Sequence, residues 1–178
     1  MRISEQGKDF IKSFEGCKLE AYHGAADRPG LYTIGYGHTG KVQKGQKITQ
    51  AEADRLFSND VAPIEKQLTA DVPNVSQHQF DALVSFCFNL GVSAYMGSTL
   101  RRKLKAGDML GAAAEFPKWC RANGKVVAGL QRRRDAERRL FLQAGAADIA
   151  ALLLGMMMAG AAVLVAMIFV NGQKITNM

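Results

Sequence analysis

The chain has 178 residues, enough for one sizeable core and a short appendage, and its 23 Lys+Arg against 16 Asp+Glu give a net charge of +7. Three scattered cysteines, Cys17, Cys87 and Cys120, argue against a disulfide framework, and their spacing is wrong for zinc. The cationic excess fits plain solubility or an acidic polymer; no nucleic-acid motif accompanies it, so no nucleic-acid partner is expected.

The opening MRISEQGKDFIKSFEG has no apolar stretch long enough for a secretory signal. Ser4 reads as an N-cap, and Phe10, Ile11 and Phe14 follow at helical spacing. Gly16 is placed to stop that helix, so Glu15 projects from its last turn. Residues 19–47 are poor in helix signals and rich in Gly and aromatics. Arg28-Pro29-Gly30-Leu31 suits a type II turn. Tyr32, Ile34 and Tyr36 alternate with Thr33, Gly35 and Gly37 in a strand-like period, which predicts a small antiparallel sheet forming one wall of a cleft. The glycines would let a sugar ring or another backbone come close.

Glu15, Asp27 and Thr33 stand within this one stretch, EGCKLEAYHGAADRPGLYTIGYGHT. Two carboxyl groups and a hydroxyl can cut a glycosidic bond when one acid protonates the leaving oxygen and the others hold and activate a water. The stretch resembles the signature of the phage-type lysozymes, the endolysins of glycoside hydrolase family 24. That signature is a Glu, eight residues, an Asp or Cys, five residues, a Thr, and then Ile-Gly-x-Gly-His. Thr33-Ile34-Gly35-Tyr36-Gly37-His38-Thr39 matches it, and Asp27 stands six positions before Thr33 as the pattern asks. Eleven residues, not eight, separate Glu15 from Asp27, and Gly24 occupies the place counted forward from Glu15. A loop lengthened by about three residues between Tyr22 and Asp27 accounts for the difference at small entropic cost.

The resemblance implies an α+β, mostly helical, two-lobed lysozyme-like domain with a small β-sheet lobe, and hydrolysis of peptidoglycan between N-acetylmuramic acid and N-acetylglucosamine. It implies Glu15 as general acid, Asp27 with Thr33 on the water, and a structural His38 paired with Asp60. It implies no metal and no cofactor. The anionic bacterial wall then fits the cationic excess.

Further along, Thr49-Gln50-Ala51-Glu52 is a capping box opening a helix through Leu56 and Phe57, which Pro63 is expected to interrupt or restart. Ser76-Gln77-His78-Gln79 is a second capping box, before the run FDALVSFCFNLG. That run is apolar nearly all round and predicts a helix buried on every side. Phe88 and Thr99 fall where the resembling family contacts saccharide; ordinary core is the other reading of Phe88. Ser98 or Thr99 caps a short helix closed by Gly107. Asp108 caps the next, expected to run through Phe116 and Trp119. Asn123-Gly124 is a turn. In the run from Gly129 to Phe141, Asp135 and Glu137 interleave with five arginines, which predicts a charged outer helix face, with Leu130 and Leu140 on the buried side.

The resemblance covers roughly residues 1–145, so we expect a muramidase domain over 1–146 and a hydrophobic segment over 147–178. Ile149 to Val170 holds 22 residues without one charge, and Ala147, Ala151, Gly155 and Ala159 recur every four residues. Such a helix would rise ~33 Å, close to the hydrocarbon thickness, with a small-residue stripe for close packing. Arginines precede this span and only Lys174 follows it, so the positive-inside rule keeps the preceding domain in the cytoplasm. The expectation is an endolysin of the bacterial host cytoplasm, tethered to the inner membrane by its C-terminal helix and reaching the wall after membrane breach. The competing readings are a non-catalytic peptidoglycan-binding protein and a membrane-perturbing protein acting through that helix.

Overall fold

A computed structural model describes residues 1–24 and 30–143. Asp27, the Arg28-Pro29 half of the proposed turn, the membrane span at 149–170 and the boundary at 146/147 lie outside the described residues. Among the described residues, no helix is long and apolar enough to cross a membrane. The expected mostly helical α+β architecture is found. In chain order it comprises α1 (Glu5–Glu15), β1 (Lys18–Tyr22), β2 (Thr33–Gly35), α2 (Gln50–Asp71), α3 (Gln77–Leu90), α4 (Val92–Met96), α5 (Thr99–Lys105) and α6 (Met109–Ala113). A 3-10 turn (Phe116–Trp119), the two-residue strands β3 (Arg121–Ala122) and β4 (Lys125–Val126), and α7 (Ala128–Phe141) complete it.

Helix α3 is the centre of the core. Every residue from Phe80 to Cys87 is buried, and α1, α2 and α7 pack around it. Both capping boxes form: the side chains of Thr49 and Ser76 accept from the N3 backbone, and Glu52 and Gln79 answer to the cap N–H groups. Helix α1 is pinned to α3 at its start. The carboxylate of Asp81, itself buried, accepts from Ser4 N at 3.0 Å and from the Ser4 hydroxyl at 2.5 Å. Gly7 allows this approach, because a Cβ there would stand 2.6 Å from Asp81 Cγ.

Three local expectations are corrected. Helix α2 runs unbroken through Pro63. The carbonyl that loses its partner belongs to Asn59, and both residues face solvent, where water satisfies it. Phe57, Val61, Ile64 and Leu68 anchor the opposite face. The helix capped by Asp108 ends at Ala113, and the following Phe116–Trp119 segment, with Pro117 in its first turn, is 3-10 rather than α. The Gly-Tyr strand is short. It covers Thr33–Gly35 and then folds back, with Gly35 at φ 64°, Gly37 at φ 98° and Ile34 bridged to His38. These are left-handed values that glycine adopts freely. At Gly35 it is the positive φ rather than space that calls for glycine, since an added Cβ would lie at an ordinary contact distance, 3.6 Å, from the Ala53 Cα of α2.

The small sheet is antiparallel, with Lys18 opposite Gly35 and Tyr22 opposite Thr33. Five residues of β1 thus face three of β2, so the ribbon carries an irregularity that bends it.

Candidate active site

Glu15 is the last residue of α1, and Gly16, at φ 67°, turns the chain into β1. Two residues later Lys18 pairs with Gly35, so the end of α1 is held beside the strand that begins with Thr33. Thr33 is buried at 6% exposure, and Glu15 retains 21% side-chain exposure. The fold therefore brings the acid and the hydroxyl to the two ends of one short ribbon. The segment between the paired Tyr22 and Thr33 contains Asp27, which is outside the described residues.

A third group arrives from the far end of the sequence. Arg133 Nη1 donates to Glu15 Oε1 at 2.5 Å. The same guanidinium donates through Nε to Glu137 Oε1 at 3.2 Å and through Nη2 to the Ser85 carbonyl at 3.3 Å. The Ser85 hydroxyl donates to Glu137 Oε1 at 2.7 Å, and Arg134 Nη2 donates to that oxygen at 2.8 Å. Arg133, Arg134 and Glu137 are buried, at 4%, 0% and 0% exposure. This overturns the expected charged outer face of α7. The guanidiniums lie over aromatic rings, Arg133 5.4 Å from the Phe14 centroid and Arg134 5.1 Å from that of Phe86. Burial depresses Arg134 below the usual arginine value, and Glu137 opposes that shift. Such a network is tolerated inside a protein only because each charge meets an opposite one. It holds the Glu15 carboxyl in place through Oε1.

The predicted pairing of His38 with Asp60 is present. Nδ1 lies 2.9 and 3.0 Å from the two carboxylate oxygens, and Nε2 lies 2.9 Å from the Gly40 carbonyl. The pair fastens the Gly-Tyr-Gly-His turn to α2. Phe88 packs at 5.4 Å against Phe57, which meets Tyr36 at 5.6 Å, and this aromatic chain runs from the core to the same turn. Phe88 also lines a groove of about 490 Å³ with Gly37, His38 and Asp60. Thr99 opens α5, and its hydroxyl accepts from Arg102 Nη2 at 2.7 Å, so it is engaged within its own helix.

Sequence reasoning missed Arg133, yet its spacing carried a signal. Leu130, Arg133, Arg134, Glu137, Leu140 and Phe141 recur at three- and four-residue intervals and therefore share one helix face. Charges at apolar positions of such a face must find partners inside.

The model of the family described as phage lysozyme matches residues 12–137. An endolysin of Acyrthosiphon pisum secondary endosymbiont phage 1 is 43% identical over 146 residues, covering 79% of this chain and 98% of that protein. An endolysin of Bacillus phage B103 is 46% identical over 147 residues, which are 80% of this chain; here the match spans about half, 54%, of the relative's length. Among solved structures, the muramidase domain of SpmX from Asticaccaulis excentricus superposes with a TM-score of 0.74 at 39% identity, covering 80% of this chain and 99% of that one.

Proposed function

Because the chain belongs to the phage lysozyme family, we propose that Glu15 is the general acid, with Asp27 and Thr33 as the water-holding groups, of its peptidoglycan-cleaving site. The protein is a lysozyme, a glycoside hydrolase of the endolysin type. It hydrolyses the β-1,4 bond between N-acetylmuramic acid and N-acetylglucosamine in the bacterial wall, to lyse the host cell.

The observation that carries the site assignment is the anchoring of Glu15 by the buried Arg133 at the start of the ribbon whose second strand opens with Thr33. A general acid must deliver its proton to the glycosidic oxygen from a fixed direction, and proton transfer by a well-placed carboxyl group contributes about 10²–10⁴-fold. Asp27 is assigned to polarise the water on the other side of the scissile bond from Glu15. The Thr33 hydroxyl fixes the water's position. Carboxyl groups about 6.5–9.5 Å apart leave room for that water and give inversion, whereas about 5–5.5 Å gives a covalent intermediate and retention. Phe88 and Thr99 are assigned to the saccharide. Phe88 offers a ring to an apolar sugar face, and Thr99 a hydroxyl already oriented by Arg102.

The uncharged segment 149–170 is assigned as a membrane span that holds the muramidase domain on the cytoplasmic side until the membrane is breached. Fractionation of cells expressing the full chain and a chain ending at Ala146 tests it: the first should sediment with membranes and the second should not. A soluble full-length protein would end the anchor assignment.

The catalytic assignment is tested by turbidity clearing of exposed cell wall. Glu15→Gln should lower the rate by at least about a hundredfold, and Asp27→Asn by a comparable factor. Clearing that survives Glu15→Gln would remove the assignment and favour action through the C-terminal segment.

A further inference from the structure

Lys12 stands one helical turn before Glu15 on α1, and its ammonium makes a set of contacts that the chemistry above does not use. Nζ donates to Asp54 Oδ1 of α2 at 2.6 Å. It also lies 5.1 Å from the ring centroid of Tyr36 and 5.4 Å from that of Phe57. Gln50 Nε2 donates to the Tyr36 hydroxyl at 2.9 Å and lies 3.4 Å from Asp54 Oδ1. Asp54, Tyr36 and Phe57 thus close on one cation, and Gln50 braces Tyr36 and Asp54, so three separate pieces of structure meet there. Lys12 belongs to the helix that ends in Glu15, and Tyr36 to the turn immediately after the Thr33 strand. Gln50 and Asp54 belong to the first turns of α2.

We propose that Lys12, clasped by Asp54, Tyr36 and Phe57, is a positioning residue that sets the separation between Glu15 and Thr33. The inference rests on the assignment of those two residues to the catalytic site. The reason is mechanical. The ribbon joins α1 to β2 through Gly16 and Gly35, both at left-handed φ values, and it carries an irregularity between Lys18 and Tyr22. A bent ribbon with glycines at its joints does not by itself fix the distance across a cleft. A cation held by a carboxylate and two aromatic faces, with its stem along α1, supplies the missing constraint.

The clasp is formed at working pH. Burial is the largest single influence and acts to lower the Lys12 ammonium, but the hydrogen bond and charge of Asp54, joined by Tyr36 and Asp9, together outweigh it and hold Lys12 above the usual lysine value; the same bond lowers Asp54. The Lys12 and Asp54 side chains are 23% and 43% exposed, so breaking the pair disturbs geometry more than stability. Lys8, one turn earlier, pairs with the exposed Glu5 and gives a control of equal charge.

The test measures hydrolysis of soluble peptidoglycan oligomers by the full-length chain and its variants, with thermal denaturation run in parallel. Lys12→Met should lower kcat by about ten- to a hundredfold, because an ångström-scale misplacement of a catalytic group costs that much. KM should stay within about twofold, since saccharide contacts are untouched. Lys12→Arg keeps the charge, the carboxylate bond and the stacking, and should recover most of the loss. Lys8→Met should match the wild type. Wild-type kcat in Lys12→Met overturns the proposal. So does a loss that Lys12→Arg fails to recover, or one that follows the fraction unfolded or enters through KM. Full activity in Glu15→Gln, run alongside, would instead overturn the catalytic assignment, so the two failures are distinguishable.

Discussion

Arg133 donates to Glu15 across 118 residues of chain, joining the middle of α7 to the last residue of α1. The contact explains why a helix rich in arginine is folded with two of them inside. Its guanidinium is shared between Glu15 and the fully buried Glu137, so the packing of α7 on α3 and the orientation of the candidate acid depend on the same side chain.

Arg133→Met should therefore cost both stability and rate. It leaves Glu137 with Arg134 as its remaining cation and removes the donor to Glu15. Breaking a buried pair by deleting one partner costs about 3 kcal/mol, and displacing Glu15 should lower kcat at least about tenfold. Arg133→Lys restores a charge without the planar fork that reaches Glu15, Glu137 and the Ser85 carbonyl together, so it should recover part of the stability and little of the rate. Denaturant unfolding and wall clearing on the two variants check this. Wild-type clearing by Arg133→Met would show that Glu15 does not need this anchor.

Asp71, at the end of α2, ties α5 to the long helix. It accepts from Arg101 at 2.6 and 2.9 Å, from Lys105 at 3.1 Å and from the Tyr95 hydroxyl at 3.0 Å. The Arg101 bond, opposed by burial and aided by Lys105 and Tyr95, holds Asp71 at about 2 against an ordinary 3.8. A carboxyl group whose folded value is depressed adds stability above its unfolded value and loses it as pH falls through the folded one. That contribution should be about 2 kcal/mol near neutrality and should vanish between about pH 4 and pH 2. Asp71→Asn should lose it at neutral pH and show a flatter acid limb in the same interval. Parallel acid limbs for variant and wild type would refute the attribution.

Gly7→Ala tests the seating of α1. The new Cβ would meet Asp81 Cγ at 2.6 Å and Ile3 Cγ1 at 2.7 Å, and Asp81 cannot retreat without releasing Ser4. Overpacking of this kind costs about 1–3 kcal/mol, and here it outweighs the better helix propensity of alanine. A melting temperature at or above the wild type would show that the Ser4–Asp81 junction yields freely.

Much of the molecule was legible before its structure. Capping boxes, the apolar run of α3, the stop at Gly16 and the His38–Asp60 pair depend on neighbours within a few residues or on a motif with fixed spacing. What was missed depends on where distant side chains land. The burial of Arg133 and Arg134 requires Glu15, Ser85 and Glu137 to meet, and no local window contains all of them. The clasp around Lys12 likewise joins residues 12, 36, 54 and 57. The Gly35 and Gly37 turns shortened the strand because backbone freedom outweighed an alternating pattern that a run of Tyr and Ile would otherwise satisfy.

Pro63 gives the last prediction. Inside α2 it removes one backbone donor, and proline in a helix interior is about 3 kcal/mol less favourable than alanine. The helix persists because the Asn59 carbonyl is at the surface, while Phe57, Val61, Ile64 and Leu68 hold the other face in the core. Pro63→Ala restores the bond to Asn59 without touching buried atoms. Against it stands the greater freedom of the unfolded chain once proline is gone, worth up to about 1 kcal/mol. The net should be a gain of about 1–2 kcal/mol, read as a higher melting temperature. A loss of stability would mean that the proline fits a bend on which α2 depends. Peptidoglycan hydrolysis by the same variant should stay at the wild-type rate, because Ile64 and Asp60 keep their places against Phe88 and His38 on the groove side of the helix.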